Sequence, residues 1–120
     1  LTGMKGPAKP ASGIEDTVVK PTDLYLYVQE LTEIMSRYGV RASFYGHASA
    51  GLLHVRPVID LHEPAEVLKF RNLAEEVFAL VRKYRGSFTG EHGVGMAHSE
   101  FIKEQIGETL FNIMTQIKQV

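Results

Sequence analysis

Two short segments carry the residues whose types and spacing suit chemistry. The first, GHASAGLLH, runs from residue 46 to 54 and contains His47 and His54. The second, GEHG, places Glu91 and His92 between two glycines. Neutral imidazoles and a carboxylate bind divalent metals such as zinc, and three protein ligands leave positions open for water or substrate. His47, His54 and Glu91 are therefore a candidate metal site, with His92 beside it.

The hairpin between the two histidines decides whether they can meet. If residues 50–51 (Ala-Gly) are the centre of a two-residue turn, His47 lies directly opposite His54, and opposed side chains share a sheet face with Cβ atoms about 5 Å apart. The same register pairs Tyr45 with Arg56 on that face. Ala-Gly is a weaker turn than Asn-Gly, so a four-residue loop remains an alternative. The opposite face, which we expect to pack under helices, carries Phe44, Leu53 and Val55.

Ordinary structural roles are the alternative at each of these positions. Histidines at this spacing are usually unrelated, and a Gly-Glu-His-Gly segment can be a plain loop. Arg56 can form a surface ion pair of small energetic weight. Two other histidines, His62 and His98, show no feature that distinguishes them from solvated side chains. The residues alone thus leave both a metal site and plain loop chemistry open.

The elements that must position these residues follow the order β-α-β-β-α-β. This order is typical of a ferredoxin-like α+β fold, an antiparallel sheet with helices on one face, here followed by C-terminal helices. Residues 1–13, rich in Gly, Pro and Lys, are expected to be a flexible lead-in to a domain of residues 14–120. The predicted strands are 14–19, 41–47, 52–59 and 87–91, and the predicted helices are 21–38, 64–84, 99–106 and 108–120.

The ferredoxin-like topology separates Glu91 from His47. Its strand order is 4-1-3-2, so the strand that ends near Glu91 and the strand that ends at His47 lie on opposite edges of the sheet. Glu91 reaches the histidines only if the loop after the fourth strand folds back, or if the sheet order differs. The predicted metal site therefore requires one of these two arrangements.

Composition limits the class of protein. The 120 residues have a net charge of −1, so no electrostatic field favours nucleic acid. The absence of cysteine excludes disulfides, thiolate zinc sites and iron–sulfur ligation within the chain and fits a cytoplasmic protein. No apolar run approaches the roughly 20 residues of a membrane span, and no signal peptide opens the chain. Because the first residue is Leu1 rather than Met, we expect a piece of a longer polypeptide.

The two motifs together resemble a known family. Residues 45–57 (YGHASAGLLHVRP), followed by GEHGVG at 90–95 and Ser-Glu-Phe at 99–101, are similar to the C-terminal domain of FAD-linked oxidases. This family includes D-lactate dehydrogenases, the glycolate oxidase flavin subunit and D-2-hydroxyglutarate dehydrogenases. The resemblance covers residues 14–120. It implies that a separate domain of the same polypeptide, absent from this chain, holds the FAD. The domain of residues 14–120 would then cap the flavin and form the substrate pocket.

The resemblance also implies a role for each candidate residue. His47 and His54 match the two histidine ligands of the family's divalent metal, which we expect to be zinc or manganese, and Glu91 matches its carboxylate ligand. His92 matches the adjacent catalytic histidine and would act as general base, while Arg56 is expected to bind a substrate carboxylate. The expected reaction oxidises a 2-hydroxy acid such as D-lactate or glycolate by hydride transfer to FAD. The fragment alone is expected to be inactive.

The motifs depart from the commonest family pattern at three positions. Many members carry Asp and Asn where this chain has Ala50 and Leu52, and a basic residue is usual at the position of His98. The form His-Ala-Ser-x-Gly-x-Leu-His resembles a subgroup fused to an iron–sulfur domain, which becomes an expected partner. The full-length protein is expected in the cytoplasm, with a peripheral position at the inner face of the membrane as the alternative.

Two other functions remain open. The first is a non-catalytic ferredoxin-like ligand-binding module, in which His47 and Glu91 could be replaced without effect on the parent protein. The second is a metal-dependent hydrolase that uses the same three ligands to activate water. It would turn over with metal and without flavin.

Overall fold

The computed structural model describes residues 5–96 and 98–120, and within these ranges it has the predicted mixture of helices and antiparallel strands. Nowhere in these ranges does a helix combine the length and apolar character that a membrane crossing requires. The strands are β1 (Lys9–Pro10), β2 (Thr17–Val18), β3 (Ala42–His47) and β4 (Leu52–Ile59). The helices are α1 (Leu24–Arg37), α2 (Pro64–Lys83), α3 (Ile102–Ile106) and α4 (Glu108–Lys118). Short 3-10 turns lie at Pro21–Asp23, Ala48–Ala50 and Ser99–Phe101.

Strand β4 is the centre of the sheet. It pairs antiparallel with β3 along one edge and with β1 and β2 along the other. A single bridge between Val18 and Ser87 lies beyond β2. From edge to edge the order is therefore Ser87, β2, β4, β3, which is the predicted 4-1-3-2 arrangement. The predicted α+β class is confirmed.

Three segments of the sheet differ from the prediction. The first strand is regular only at β2 (Thr17–Val18), although two backbone hydrogen bonds extend the contact. The N–H of Val55 donates to the carbonyl oxygen of Glu15, and the N–H of Val19 donates to the carbonyl oxygen of Gly51. The fourth strand, predicted at 87–91, is reduced to the Ser87 bridge, because the backbone N–H groups of residues 90–92 donate to a side chain instead of a strand. Conversely, β1 and the buried Ala11 lie within the predicted lead-in.

The connection between β3 and β4 is the longer of the two alternatives. Residues 48–51 separate the strands, with Ala48–Ala50 in a 3-10 turn. Gly51 then closes the turn at a φ of 70°, in the left-handed region that glycine adopts without a steric penalty. A two-residue turn centred on residues 50–51 is therefore wrong.

The longer loop changes the register of the hairpin. His47 pairs with Leu52, and Tyr45 pairs with His54, so the predicted His47–His54 and Tyr45–Arg56 pairs are both wrong. The shift amounts to two residues, and side chains alternate between faces with a period of two. Every side chain therefore keeps its predicted face. His47 and His54 are diagonal neighbours rather than direct partners.

Helices α1 and α2 cover one face of the sheet and form the core with it. Leu53 and Val55 of β4 are buried there, as predicted, whereas Phe44 at the edge is 36% exposed. The helices contribute Tyr27, Leu31, Ile34, Met35, Leu73, Ala74, Val77, Phe78, Leu80 and Val81 to the buried residues. Helix α4 forms as its periodicity predicts, but its stripe is 47–69% exposed; the stripe consists of Leu110, Ile113, Met114 and Ile117.

The loop that follows Ser87 covers the opposite face. Leu52 and His54 point toward this loop and are only 5% and 4% exposed. A Cβ atom at Gly90 would lie 2.3 Å from Cδ1 of Leu52 and 2.6 Å from Cγ2 of Val18, so any larger residue would require a shift of the loop or of these two side chains. The loop thus folds back across the sheet, which is the condition that the predicted site required.

Candidate metal centre

His54 is the most buried histidine of the candidate site. Its Nδ1 lies 3.2 Å from the backbone carbonyl oxygen of Glu15. A carbonyl can only accept a hydrogen bond, so this contact favours the proton on Nδ1 and leaves the lone pair on Nε2. Nε2 in turn lies 3.0 Å from Oε1 of Glu91. A lone pair that faces a carboxylate oxygen at this distance is favourable only when a proton or a metal ion lies between the two atoms.

The carboxylate of Glu91 lies among three imidazoles. Besides the contact with His54, its Oε1 is 3.5 Å from Nε2 of His92, and its Oε2 is 4.0 Å from Nε2 of His47. The rings of His54 and His92 are stacked, with centroids 5.0 Å apart, and Tyr45 packs against His54 at 4.8 Å. His47 is the outlying member, because 65% of its side chain is exposed.

Asp16 holds the loop that carries Glu91 and His92. Its side chain is fully buried, and its Oδ2 accepts the backbone N–H groups of Gly90, Glu91 and His92 at 2.8, 3.1 and 2.9 Å. Burial raises the pKa of Asp16, but the three N–H donors and the neighbouring His92 outweigh burial and hold the pKa below its ordinary value. Asp16 is therefore an ionised carboxylate at neutral pH, in a nest of backbone donors.

Glu15 and Arg56 form a second charged pair beside the loop. Oε2 of Glu15 lies 2.7 Å from Nε of Arg56, in an ion pair that lacks the alignment of a hydrogen bond. The other oxygen of Glu15, Oε1, lies 3.7 Å from Nδ1 of His92. Glu15 thus stands between Arg56 and His92, and part of the Arg56 guanidinium is engaged within the protein.

The donor set suits a divalent metal. Asp16, His54, Glu91 and His92 each offer one ligand atom, and these atoms lie within 4.8 Å of one another. Asp16 is the least suited of them, because its carboxylate is committed to backbone N–H groups. Two ligand atoms bound to one metal at about 2.0–2.2 Å lie roughly 3–3.5 Å apart in tetrahedral geometry. The 3.0 Å between Nε2 of His54 and Oε1 of Glu91 agrees with this spacing.

The structure brings His47, His54, Glu91 and His92 to one face and leaves Arg56 at its edge. Their individual roles stay predictions. The residues that sequence reasoning missed are Glu15 and Asp16. The available signal was a pair of acidic residues inside a predicted strand, since buried carboxylates require donors. Nothing in the sequence indicated that the backbone N–H groups that donate to Asp16 lie 74 to 76 residues away.

The two remaining histidines have different surroundings. His62 is exposed, as expected, and pairs with Asp60 at 2.9 Å. His98 is 5% exposed and packs edge-on against Phe78 and Phe88, with centroids 5.7 and 5.9 Å away. Neither of its ring nitrogens has a hydrogen-bond partner in the described part of the chain. The expectation that His98 is solvated is therefore wrong.

Comparison with known proteins gives a consistent result. The D-2-hydroxyglutarate dehydrogenase of Pantoea ananatis (strain AJ13355) is 38% identical over 118 residues, which are 98% of this chain and 11% of that protein. The D-2-hydroxyglutarate dehydrogenase of Escherichia coli (strain K12) is 36% identical over 118 residues, 98% of this chain and 12% of that protein. The glycolate oxidase subunit GlcD of Bacillus subtilis (strain 168) is 26% identical over 110 residues, 92% of this chain and 23% of that protein.

The chain therefore spans between about a tenth and a quarter of the length of these curated relatives. The family model described as FAD linked oxidases, C-terminal domain, matches residues 1–120. A match over the whole chain, together with the likeness to these relatives, shows the family. The chain belongs to the FAD-linked oxidases, as a C-terminal domain of that family.

Proposed function

We propose that this chain is the substrate-side domain of an FAD-dependent 2-hydroxyacid dehydrogenase. The main support is the convergence of Glu91, His54 and His92 on one face of the sheet, in a chain of the FAD-linked oxidase family. A carboxylate and two imidazoles in contact provide metal ligands and a proton acceptor together, which the oxidation of an alcohol requires. The expected product is the corresponding 2-oxo acid.

His54, Glu91 and His47 would hold the metal, with zinc or manganese as the expected ion. The first two residues already face each other, and the exposed His47 can approach by a change of rotamer. When bound, the metal supplies a Lewis acid that lowers the pKa of the substrate hydroxyl, and the bound flavin accepts a hydride. The paired strands of the hairpin fix the backbone positions of the two histidines relative to each other.

His92 would accept the hydroxyl proton. Oε1 of Glu91 lies 3.5 Å from its Nε2, and Oε1 of Glu15 lies 3.7 Å from its Nδ1. With Glu91 engaged as a metal ligand, Glu15 would favour the ring proton on Nδ1 and leave Nε2 as the base. The O–H proton then passes to His92 as the C2–H bond breaks, and the electron pair of that bond leaves with the hydride. A C=O double bond forms at C2, so atoms and charges balance.

Arg56 would bind a carboxylate of the substrate. It lies at the edge of the site, and its Nε is 2.7 Å from Glu15. A guanidinium binds a carboxylate with two parallel N–H groups, which an ammonium cannot reproduce. Arg56→Lys is therefore expected to raise KM more than it lowers kcat. An unchanged KM in steady-state kinetics would assign Arg56 to the ion pair with Glu15 alone.

The relatives inform the choice of substrate and partners. The D-2-hydroxyglutarate dehydrogenases are 34–38% identical to this chain, and the glycolate oxidase subunit and the D-lactate dehydrogenases are 26–28% identical. D-2-Hydroxyglutarate therefore joins D-lactate and glycolate as a substrate to test. A FAD-binding domain of the same polypeptide is the expected partner. The D-2-hydroxyglutarate dehydrogenases are about twice as long as the glycolate oxidase subunit, which leaves room for the iron–sulfur domain that the His-Ala-Ser motif suggests.

The full-length protein provides the test. Purified protein with bound flavin is mixed anaerobically with D-2-hydroxyglutarate, D-lactate or glycolate, with the L-enantiomers of the chiral acids as controls. We expect flavin bleaching with at least one of the acids and a 2-oxo acid as the product. Unbleached flavin with all of them would reject the dehydrogenase. Ester or phosphoester hydrolysis with metal and without flavin would support the hydrolase instead.

A further inference from the structure

We propose that Asp16 is a positioning residue that sets the placement of Glu91 and His92. This inference rests on the proposed function, in which these two residues act as metal ligand and base. Asp16 itself faces neither substrate nor metal in this proposal, because its carboxylate is occupied by the backbone of the loop. It acts through the loop rather than on the reacting atoms.

The first support is the convergence of donors on one atom. Three consecutive backbone N–H groups, those of residues 90–92, lie within 3.1 Å of Oδ2 of Asp16. Hydrogen bonds to an ionised acceptor are roughly twice as strong as neutral ones, and they fix the direction of each peptide plane. Asp16 therefore sets the orientation of the backbone from which the side chains of Glu91 and His92 project.

The second support is the weak attachment of this loop elsewhere. Within the described residues, the N–H groups of 90–92 donate to no strand or turn, and the side chains of Glu91 and His92 are each 45% exposed. Gly90 packs tightly on Leu52 and Val18, but that contact fixes only one end. A surface loop whose backbone makes few other hydrogen bonds opens easily unless another group holds it in place. Asp16 is that tie.

The chemistry of the carboxylate explains why an amide cannot replace it. An asparagine has one acceptor oxygen and a donor NH₂ group. Because the second oxygen of Asp16, Oδ1, lies 3.3 Å from the backbone nitrogen of Glu91, one orientation of an amide would place donor against donor there. The opposite orientation would place the NH₂ group against all three N–H groups. Asp16→Asn therefore preserves size while weakening every bond of the nest.

The experiment compares wild type with Asp16→Asn in the full-length protein. Affinity for zinc, measured by competition with a chelator, is expected to fall about 10- to 100-fold, the usual effect of removing a residue that orients a metal ligand. Flavin reduction at saturating zinc is expected to stay below wild type, because His92 is displaced along with Glu91. Asp60→Asn is the matched control, since Asp60 also accepts a backbone N–H, from His62, at the far end of β4. It should bind zinc like wild type.

Hydrogen exchange separates this inference from the proposed function. In wild type the amides of residues 90–92 should exchange at least about tenfold more slowly than those of the nearby Gly93 and Gly95, and Asp16→Asn should remove that protection. If wild type binds neither zinc nor manganese, the proposed metal centre fails, and exchange still decides the role of Asp16. If Asp16→Asn does not fold, unprotected amides in wild type overturn the inference and protected ones support it. Wild-type zinc affinity in a folded Asp16→Asn overturns it as well.

Discussion

Gly90→Ala tests the packing that brings the loop to the sheet. The added Cβ would lie 2.3 Å from Cδ1 of Leu52 and 2.6 Å from Cγ2 of Val18, whereas ordinary contacts begin at 3.4 Å. Where Leu52 and Val18 keep their rotamers, relief of both contacts moves the loop outward by about 1 Å. The 3.0 Å distance between Oε1 of Glu91 and Nε2 of His54 would then grow to about 4 Å, beyond the roughly 3–3.5 Å that separates two ligand atoms of a tetrahedral metal ion.

The expected consequence is a large loss of rate with a small loss of stability. Misplacement of reacting groups by about 1 Å can cost about 10²-fold in rate. The loop is on the surface and can yield, so the free energy of unfolding should fall by no more than about 1–3 kcal/mol, the usual cost of overpacking. Stopped-flow flavin reduction in the full-length protein measures the rate, and thermal unfolding measures the stability.

A second glycine of the same loop provides the control. Gly93 has a φ of 75°, and a Cβ there would meet nothing within 4 Å. Asparagine tolerates the left-handed region, so Gly93→Asn changes a glycine without a steric collision. It should reduce flavin within about threefold of wild type. If Gly90→Ala also stays within that range and retains its metal, the reasoning from loop placement is refuted.

Three further predictions concern catalysis and stability. His92→Asn should slow flavin reduction about 10²–10⁴-fold with metal content unchanged, and a normal rate would make His92 structural. The control His62→Asn, at an exposed position, should change neither the rate nor the metal content. His98→Leu should raise the free energy of unfolding by about 1 kcal/mol in chemical denaturation, because it removes two buried nitrogens that lack partners in the described residues; a loss of stability would reveal an undetected partner. Tyr27→Phe should lower the free energy of unfolding by about 1–2 kcal/mol, because the buried Tyr27 hydroxyl donates to Thr17 at 2.9 Å; unchanged thermal unfolding would contradict this.

The helices and the hairpin strands could be predicted because their signals are local. Apolar stripes at helical spacing marked α1 and α2 to within a few residues, and Pro64 begins α2 as expected. The register failed because Ala-Gly specifies a turn only weakly. The face of each histidine was still correct, since a two-residue shift preserves the alternation of side chains.

The parts that failed depend on contacts between distant segments. The last predicted strand is almost absent because Asp16 takes the backbone N–H groups of residues 90–92, an interaction that no local pattern reveals. His98 looked like a solvated residue because its burial comes from Phe78 and Phe88, which belong to α2 and to the segment after it. Helix α4 was correct as a helix, but periodicity does not tell whether its apolar stripe is covered.

The dependence of flavin reduction on metal tests the central claim most directly. Full-length wild type, Glu91→Gln and the control Glu75→Gln, an exposed carboxylate of α2, are stripped with a chelator and titrated with zinc or manganese under anaerobic conditions. Chelation should abolish substrate-dependent flavin bleaching in all three proteins, and metal should restore it in wild type and Glu75→Gln. Glu91→Gln should recover little at the same metal concentration, because a neutral amide is a poor substitute for a carboxylate ligand. Bleaching that survives chelation in wild type, or that metal restores equally in Glu91→Gln, would contradict the proposed metal centre.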